Sequence, residues 1–430
     1  MQPWWKEPTK GQWITFLGSW LGWVLDAFDF TVFLLVLPEI SKEFGVGYAA
    51  TASTITLTLL CRLAGGFVAG SLADKLGRKA PLMISLAWFA ACDAAVAFAP
   101  SFTWILVFRT LFGFGMGAEW TAGMTIAMEN WPARSRGIAS GVLQGSWAIG
   151  YLLAAVVSGY VVPLYGWRQL FIVAALPALL IIPFRFFVPE SEEWKRQQEE
   201  KAADAASGTT RAPVGFSPEV IRHMGWAIVV MTAAFSAYYG LTGMYPTLLK
   251  TELGQRPGDV SSVVSMFNVG MMLGAVFCGW LAAKRSITLA ILIPALSCIL
   301  VLPLYVGVVP GLLTLGAFLG GMFGGGYSGV TPILLTSLFP SEIRGRAVGI
   351  VYHVGAFGAA FVPMGIAQLV ESFGLSFQSV IGVAVGVFQG ALVVALLFVP
   401  AQLADVVGAL ARGRRASLPP VSAADAEPAR

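Results

Sequence analysis

Apolar runs close to membrane-spanning length alternate with short polar segments along almost the whole chain. A helix rises ~1.5 Å per residue and needs roughly 20 residues to cross the hydrocarbon of a bilayer. Twelve runs meet that length and predict spans over 14–40, 48–71, 80–99, 102–127, 138–163, 168–188, 224–250, 259–282, 287–308, 310–338, 347–371 and 376–400. The first is full length and lacks a small-residue cleavage site, so it reads as span 1 and not as a signal peptide. The longest polar interruption, 189–223, holds the charged cluster EEWKRQQEEKAAD and a Ser, Gly, Thr and Pro-rich stretch. It reads as a cytoplasmic linker dividing an N-terminal six-helix bundle (1–188) from a C-terminal one (224–400), and 401–430 reads as a disordered cytoplasmic tail.

Composition agrees with the pattern. Of 430 residues, 57% are hydrophobic and 12% charged, and the mean hydropathy is +0.76, outside the range of soluble domains. The expected class is an all-α integral membrane protein with the bilayer as its main partner and no role for nucleic acid. Basic residues in short loops set orientation. With both termini in the cytoplasm, Lys75, Arg78, Lys79, Arg134, Arg136, Lys284, Arg285, Arg344, Arg346 and the tail arginines fall inside, leaving Lys42, Arg168, Lys250 and Arg256 opposite. Four cysteines lie singly in apolar runs and the two histidines form no ligand-spaced motif, so neither a metal, a cofactor nor an enzyme is expected.

The two halves repeat. WPARSRGIASG at 131–141 aligns with FPSEIRGRAVG at 339–349, pairing Pro132 with Pro340, Arg136 with Arg344 and Gly137 with Gly345, and GSLADK at 70–75 is echoed by GWLAAK at 279–284. Matching polar loops are not a product of apolar composition. Such symmetry is found in transporters whose substrate site lies near the bilayer midplane between two bundles. GSLADKLGRK at 70–79 resembles the cytoplasmic loop motif of the major facilitator superfamily, on Gly70, Asp74, Gly77, Arg78 and Lys79. Gly77 allows a tight turn, and Asp74 is placed to cap a helix end and pair with a base. RTLFGFGMG at 109–117 resembles the family's second signature, an arginine followed by the spaced glycines Gly113, Gly115 and Gly117, which permit close helix approach. The resemblance implies the major facilitator fold, with twelve transmembrane helices in two six-helix bundles.

Ionisable residues inside a span are costly and mark function by default. Asp26 and Asp29 in span 1, Arg62 in span 2, Asp93 in span 3, and Arg109 and Glu119 in span 4 are such residues. Counting ~1.5 Å per residue puts Asp26 about 16 Å deep and Asp29 about 4–5 Å farther, level with Arg109, while Arg62 and Glu119 fall nearer Asp26. Carboxylates a turn apart in a low-dielectric cleft, near arginines, suit the loading and release of a proton. Asp26, Asp29 and Glu119 are therefore candidates for proton coupling, and Arg62 and Arg109 for binding an anionic solute. In the second half the only obvious intramembrane titratable group of this kind is His353, and polar groups come from Tyr238, Tyr239, Asn268, Tyr327, Tyr352 and Gln389. These suit hydrogen bonding and stacking, although aromatic residues in spans also serve as packing or interfacial belt.

A closer resemblance lies in WLGWVLDAFDF at 20–30, CRLAGGFVAGSLADKLGRK at 61–79, GMGAEW at 115–120 and ENWPARSRG at 129–137. Together these resemble the sialate:proton symporter family of sialic acid and monocarboxylate (lactate, pyruvate) transporters. The resemblance implies proton-driven symport of a small organic carboxylate across the bacterial inner membrane by alternating access, the proton gradient serving in place of a cofactor and the monomer as working unit. TGMYPTLLK at 242–250 resembles the sialic acid members, and its Gly243 replaces an aspartate of the monocarboxylate members; an aromatic acid stays open as substrate. Proton-driven efflux by the same fold is the alternative, disfavoured because 140–159 has glycines but no proline for a span-5 kink.

Overall fold

The computed structural model describes residues 4–132, 135–206, 215–309, 311–339 and 343–398; the expected tail, 401–430, lies outside them. Every regular element among the described residues is helical. Ten helical stretches are long and apolar enough to cross a membrane. The other two expected spans are Phe102–Asn130, 29 residues long, and span 10, broken into Leu313–Gly324, a 3-10 turn over Gly326–Val330 and Thr331–Ser337. The architecture is the twelve-helix one the apolar pattern predicts.

Local chemistry sets where helices begin and break. Span 1 starts on a capping box, Thr9 accepting from the Gln12 N–H while Gln12 accepts from Thr9, so two orphan donors are satisfied together. Its predicted run of 14–40 shortens to Lys10–Leu35, and a separate helix, Leu37–Phe44, follows with Pro38 in its first turn; proline cannot donate to the preceding turn. Span 6 divides at Leu176–Pro177 into Trp167–Ala175 and Ala178–Arg185, and span 11 divides into Arg344–Ala359 and Val362–Phe373 with Pro363 in the second first turn. Inside the polar 189–223 segment, Glu192–Ala206 is helical and span 7 (Pro218–Thr242) begins early, capped by Ser217. With span 4, the unbroken spans are 2 (Tyr48–Leu76), 3 (Lys79–Val96), 5 (Arg136–Tyr165), 8 (Pro257–Lys284), 9 (Ile287–Tyr305) and 12 (Phe377–Leu397).

Spans 2 and 4 touch backbone to backbone. A methyl at Gly113 or Gly117 would run into the carbonyls of Thr58 or Arg62, the close approach the spaced glycines predict. Spans 8 and 10 repeat this in the second half, where Gly321 lies on the Phe267 carbonyl.

Among the described residues, several polar contacts join the halves at the end of the bundle away from the termini. There Lys250, beyond span 7, pairs with Glu39 at 2.7 Å and donates to the Leu35 carbonyl that ends span 1. Glu371, closing span 11, accepts from the Tyr48 N–H that opens span 2. Deeper, Thr56 donates to the Ala360 carbonyl at 2.9 Å and Ser261 to the Ala155 carbonyl at 2.6 Å.

Candidate functional site: a cavity between the two halves

Between the halves lies a cavity of about 680 Å³, counting the space at its mouth. The first half contributes Trp23, Arg62, Gln144 and Trp147 to its wall; the second contributes Phe235, Tyr238, Tyr239, Tyr327, Ser328, Thr331 and Tyr352. Five of the residues that sequence singled out, Arg62, Tyr238, Tyr239, Tyr327 and Tyr352, therefore line one space. The aromatic wall is ordered by ring contacts: Phe235 stacks on Tyr239 at 6.1 Å and meets Tyr352 edge-on at 5.0 Å. Trp147 donates its indole N–H to the Tyr238 hydroxyl at 2.8 Å, a bond that crosses from one half to the other.

Arg62 is the cation of this wall. It is 3% exposed, sits 5.8 Å from the Trp147 ring centre, and its Nε and Nη2 have no hydrogen-bond partner. Asp26 is fully buried and neither of its carboxylate oxygens accepts a hydrogen bond. Among its charged neighbours Arg62 acts on it most strongly and Glu119 next, the grouping that the depth count along the helices predicts.

Arg109, Asn268 and His353 do not line the cavity. Arg109, level with Asp29 by the depth count and expected to bind an anionic solute, pairs with Asp93 at 2.6 Å, its guanidinium held over Phe112 at 4.0 Å and Phe33 at 4.8 Å. The cause is packing: spans 3 and 4 are adjacent and set Asp93 directly against Arg109. Span 1 offers only the Asp29 carbonyl, 3.4 Å away, while the Asp29 carboxylate is buried without a hydrogen-bond partner. Asn268 turns back on its own helix, donating to the Val264 carbonyl at 2.8 Å. His353 is buried edge-on to Tyr352.

Glu119 is likewise committed. Arg185, at the end of span 6, pairs with both of its oxygens, one bond at 2.8 Å, and Ser85 donates to it at 2.9 Å. Arg185 is fully buried and also donates to the Leu82 carbonyl at 2.6 Å and to Gly18. A methyl at Gly22 would occupy the space of this pair. Sequence reasoning missed Arg185, although a single arginine in FRFFVP is itself an intramembrane-charge signal. It also missed Trp23, Gln144 and Trp147, of which Gln144 stood out as an uncharged polar residue in an apolar run.

The loop after span 2 docks on the end of span 6. Gly77 turns the chain at a φ of +93°, a conformation open to glycine, and places the Arg78 and Lys79 N–H groups on the Glu190 carboxylate at 2.8 and 3.3 Å. Lys79 Nζ donates to the Phe186 carbonyl at 2.7 Å. The loop carboxylate that sequence pointed to was Asp74; its side chain, with those of Arg136 and Arg344, lies outside the described residues. Gly70 lies inside the span 2 helix.

The Major Facilitator Superfamily model matches residues 19–302 and 228–423. The chain belongs to that superfamily. Among curated proteins, the cis,cis-muconate transport protein of Acinetobacter baylyi is 30% identical over 371 residues, 85% of this chain and 89% of that one. The sialic acid transporter NanX of Escherichia coli is 27% identical, over 86% of this chain and 91% of that one. The crystal structure of a D-xylose–proton symporter superposes with a TM-score of 0.72 at 20% identity, over 90% of this chain and 96% of that one, a likeness of fold. Family membership and transporter relatives make this superfamily member an integral membrane transporter and not an enzyme.

Proposed function

We propose that this protein is a proton-coupled symporter that takes up a small organic carboxylate by alternating access, working as a monomer in a bacterial inner membrane with both termini in the cytoplasm. The observation that carries the reading is Arg62, a buried guanidinium with two unpartnered N–H groups in the wall of the central cavity, beside a buried carboxylate, Asp26, that is also unpartnered. Buried N–H groups of a charged side chain are costly to leave unmet, and a substrate carboxylate would meet both. Asp26 and Asp29 are the proposed proton stations. Each is fully buried and its carboxylate accepts no hydrogen bond, so a proton removes the cost of the charge. Glu119 and Arg109, held in their own ion pairs, support the site and do not meet the solute.

Within that class the cavity favours a flat, conjugated or aromatic acid over a polyhydroxylated one. Seven of its sixteen lining residues are aromatic and can stack on a planar π system, and a muconate transporter is among the relatives. The polar contacts at the end away from the termini favour an inward-facing state.

The test is uptake into proteoliposomes bearing an imposed pH gradient, with radiolabelled muconate, benzoate, nicotinate and N-acetylneuraminate as candidates. Accumulation of at least one that collapses with a protonophore, and is lost in Asp26→Asn or Asp29→Asn while exchange persists, is the expected result. Export of these acids driven by the inward gradient would replace symport by antiport, and transport of none of them would remove the carboxylate reading.

A further inference from the structure

Arg62 comes from span 2 of the first half, yet the hydroxyls that face it belong to the second. Tyr239 of span 7 and Tyr352 of span 11 both lie within side-chain hydrogen-bonding reach of the guanidinium. Both line the cavity with it. The two tyrosines are braced by one ring, Phe235, stacked on the first and edge-on to the second. Their positions relative to each other are therefore fixed within the second half.

The unpartnered nitrogens of Arg62 are Nε and Nη2. These two form one edge of the planar guanidinium, with parallel N–H directions that match the two oxygens of a carboxylate. Asp26 does not occupy that edge, since neither of its oxygens accepts a hydrogen bond. The third nitrogen, Nη1, is not among the unpartnered ones and is the one open to the tyrosine oxygens. A guanidinium on a flexible stem has many rotamers, and ordering it costs binding free energy unless something else already holds it. Trp147 supplies a face at 5.8 Å from the first half, and the hydroxyls supply a fixed corner from the second.

Building on the carboxylate reading above, we propose that Tyr239 and Tyr352 are positioning residues that clamp Arg62 across the interface so that its Nε–Nη2 edge is presented to the substrate carboxylate. Neither hydroxyl needs to touch the substrate. Because the clamp joins the halves through the residue that holds the anion, carboxylate affinity depends on how the halves sit against each other.

The experiment is binding, by isothermal titration calorimetry on purified full-length protein, of muconate, benzoate, nicotinate and N-acetylneuraminate together with benzamide and nicotinamide. Wild type is compared with Tyr239→Phe, Tyr352→Phe, the double variant and Arg62→Lys. Phenylalanine keeps the ring packing and removes only the oxygen. Each single variant should weaken the bound carboxylate about tenfold, the size of losing one hydrogen bond to a charged group, and leave any amide affinity unchanged. Arg62→Lys, which lacks the two-pronged edge, should weaken the carboxylate at least as much. Equal losses for acid and amide would mean that the hydroxyls only maintain packing and would overturn the clamp. Unchanged carboxylate affinity in the double variant would overturn it as well, with the carboxylate reading left standing. Absence of carboxylate binding to wild type would instead remove the reading on which the clamp rests.

Discussion

Replacing Glu119 by alanine removes the counter-charge of an arginine with no access to water. Arg185 is fully buried, and among the described residues its ion pair is with Glu119, its other hydrogen bonds going to the carbonyls of Gly18 and Leu82. Breaking a buried pair from one side costs ~3–5 kcal/mol, because the remaining ion is left without compensation. The two carbonyls retain part of Arg185's hydrogen bonding, so the lower end, about 3 kcal/mol, applies. At ~2 °C per kcal/mol, the value for large domains, the apparent Tm should fall by roughly 6 °C. The same principle gives a signed control. Replacing both members with apolar residues of similar size, Glu119→Leu with Arg185→Met, removes two desolvation costs together and should recover most of the loss. The assay is intrinsic fluorescence of the chain's 14 tryptophans during a thermal ramp in one detergent at fixed protein concentration. A single variant within 1 °C of wild type, or a double variant worse than the sum of the two singles, would refute the view that Glu119 and Arg185 form an isolated buried pair. A double variant that restored stability and kept proton-driven uptake would also establish that Glu119 carries no coupled proton.

Lys250→Met removes the bridge to Glu39 and to the end of span 1; it should speed maleimide labelling, from the side away from the termini, of a cysteine placed at Thr331 in a cysteine-free background. Unchanged labelling would mean the deeper Thr56 and Ser261 contacts close that end unaided. Outside the membrane, partial desolvation pushes the Glu43 carboxyl up, but the hydrogen bonds from Arg168 and Trp167 outweigh it and hold the group below its ordinary range. A depressed carboxyl contributes stability above its unfolded pKa and loses it as the pH falls through the folded value. The small Tm deficit of Arg168→Met should therefore be present at pH 7 and shrink below about pH 4.5. A deficit that stayed constant across that range would assign it to lost packing on Trp167.

The span count, the repeat and the glycine contacts were legible because each rests on local spacing. Apolar length gives a crossing helix wherever it occurs, and Gly113 and Gly117 at intervals of four fall on one face. The cavity was half legible: Arg62 and four tyrosines could be picked out as costly or polar residues in apolar runs. Their partners could not. Depth along a helix put Asp29 level with Arg109, but depth says nothing of azimuth, and it is the neighbouring span 3 that turns Asp93 toward the arginine. Glu119 found its partner in Arg185, in a run read only as the end of span 6, and Glu190, just past that run, was assigned to a solvated linker. Pairing across helices depends on which faces meet, a property of the assembled bundle and not of any one segment.

The contacts made by Lys250 and Glu371 have one more consequence. Each reaches a helix terminus, the last carbonyl of span 1 and the first N–H of span 2, which no intrahelical bond can satisfy. These groups lie where water is available once the halves separate, so hydration replaces each lost bond almost one for one. A fastening assembled from helix ends is held by polar bonds when dry and released without leaving an orphan when wet. Such a joint can be made and broken in every transport cycle, whereas the pair of Glu119 and Arg185, with no water to take its place, is built to stay shut.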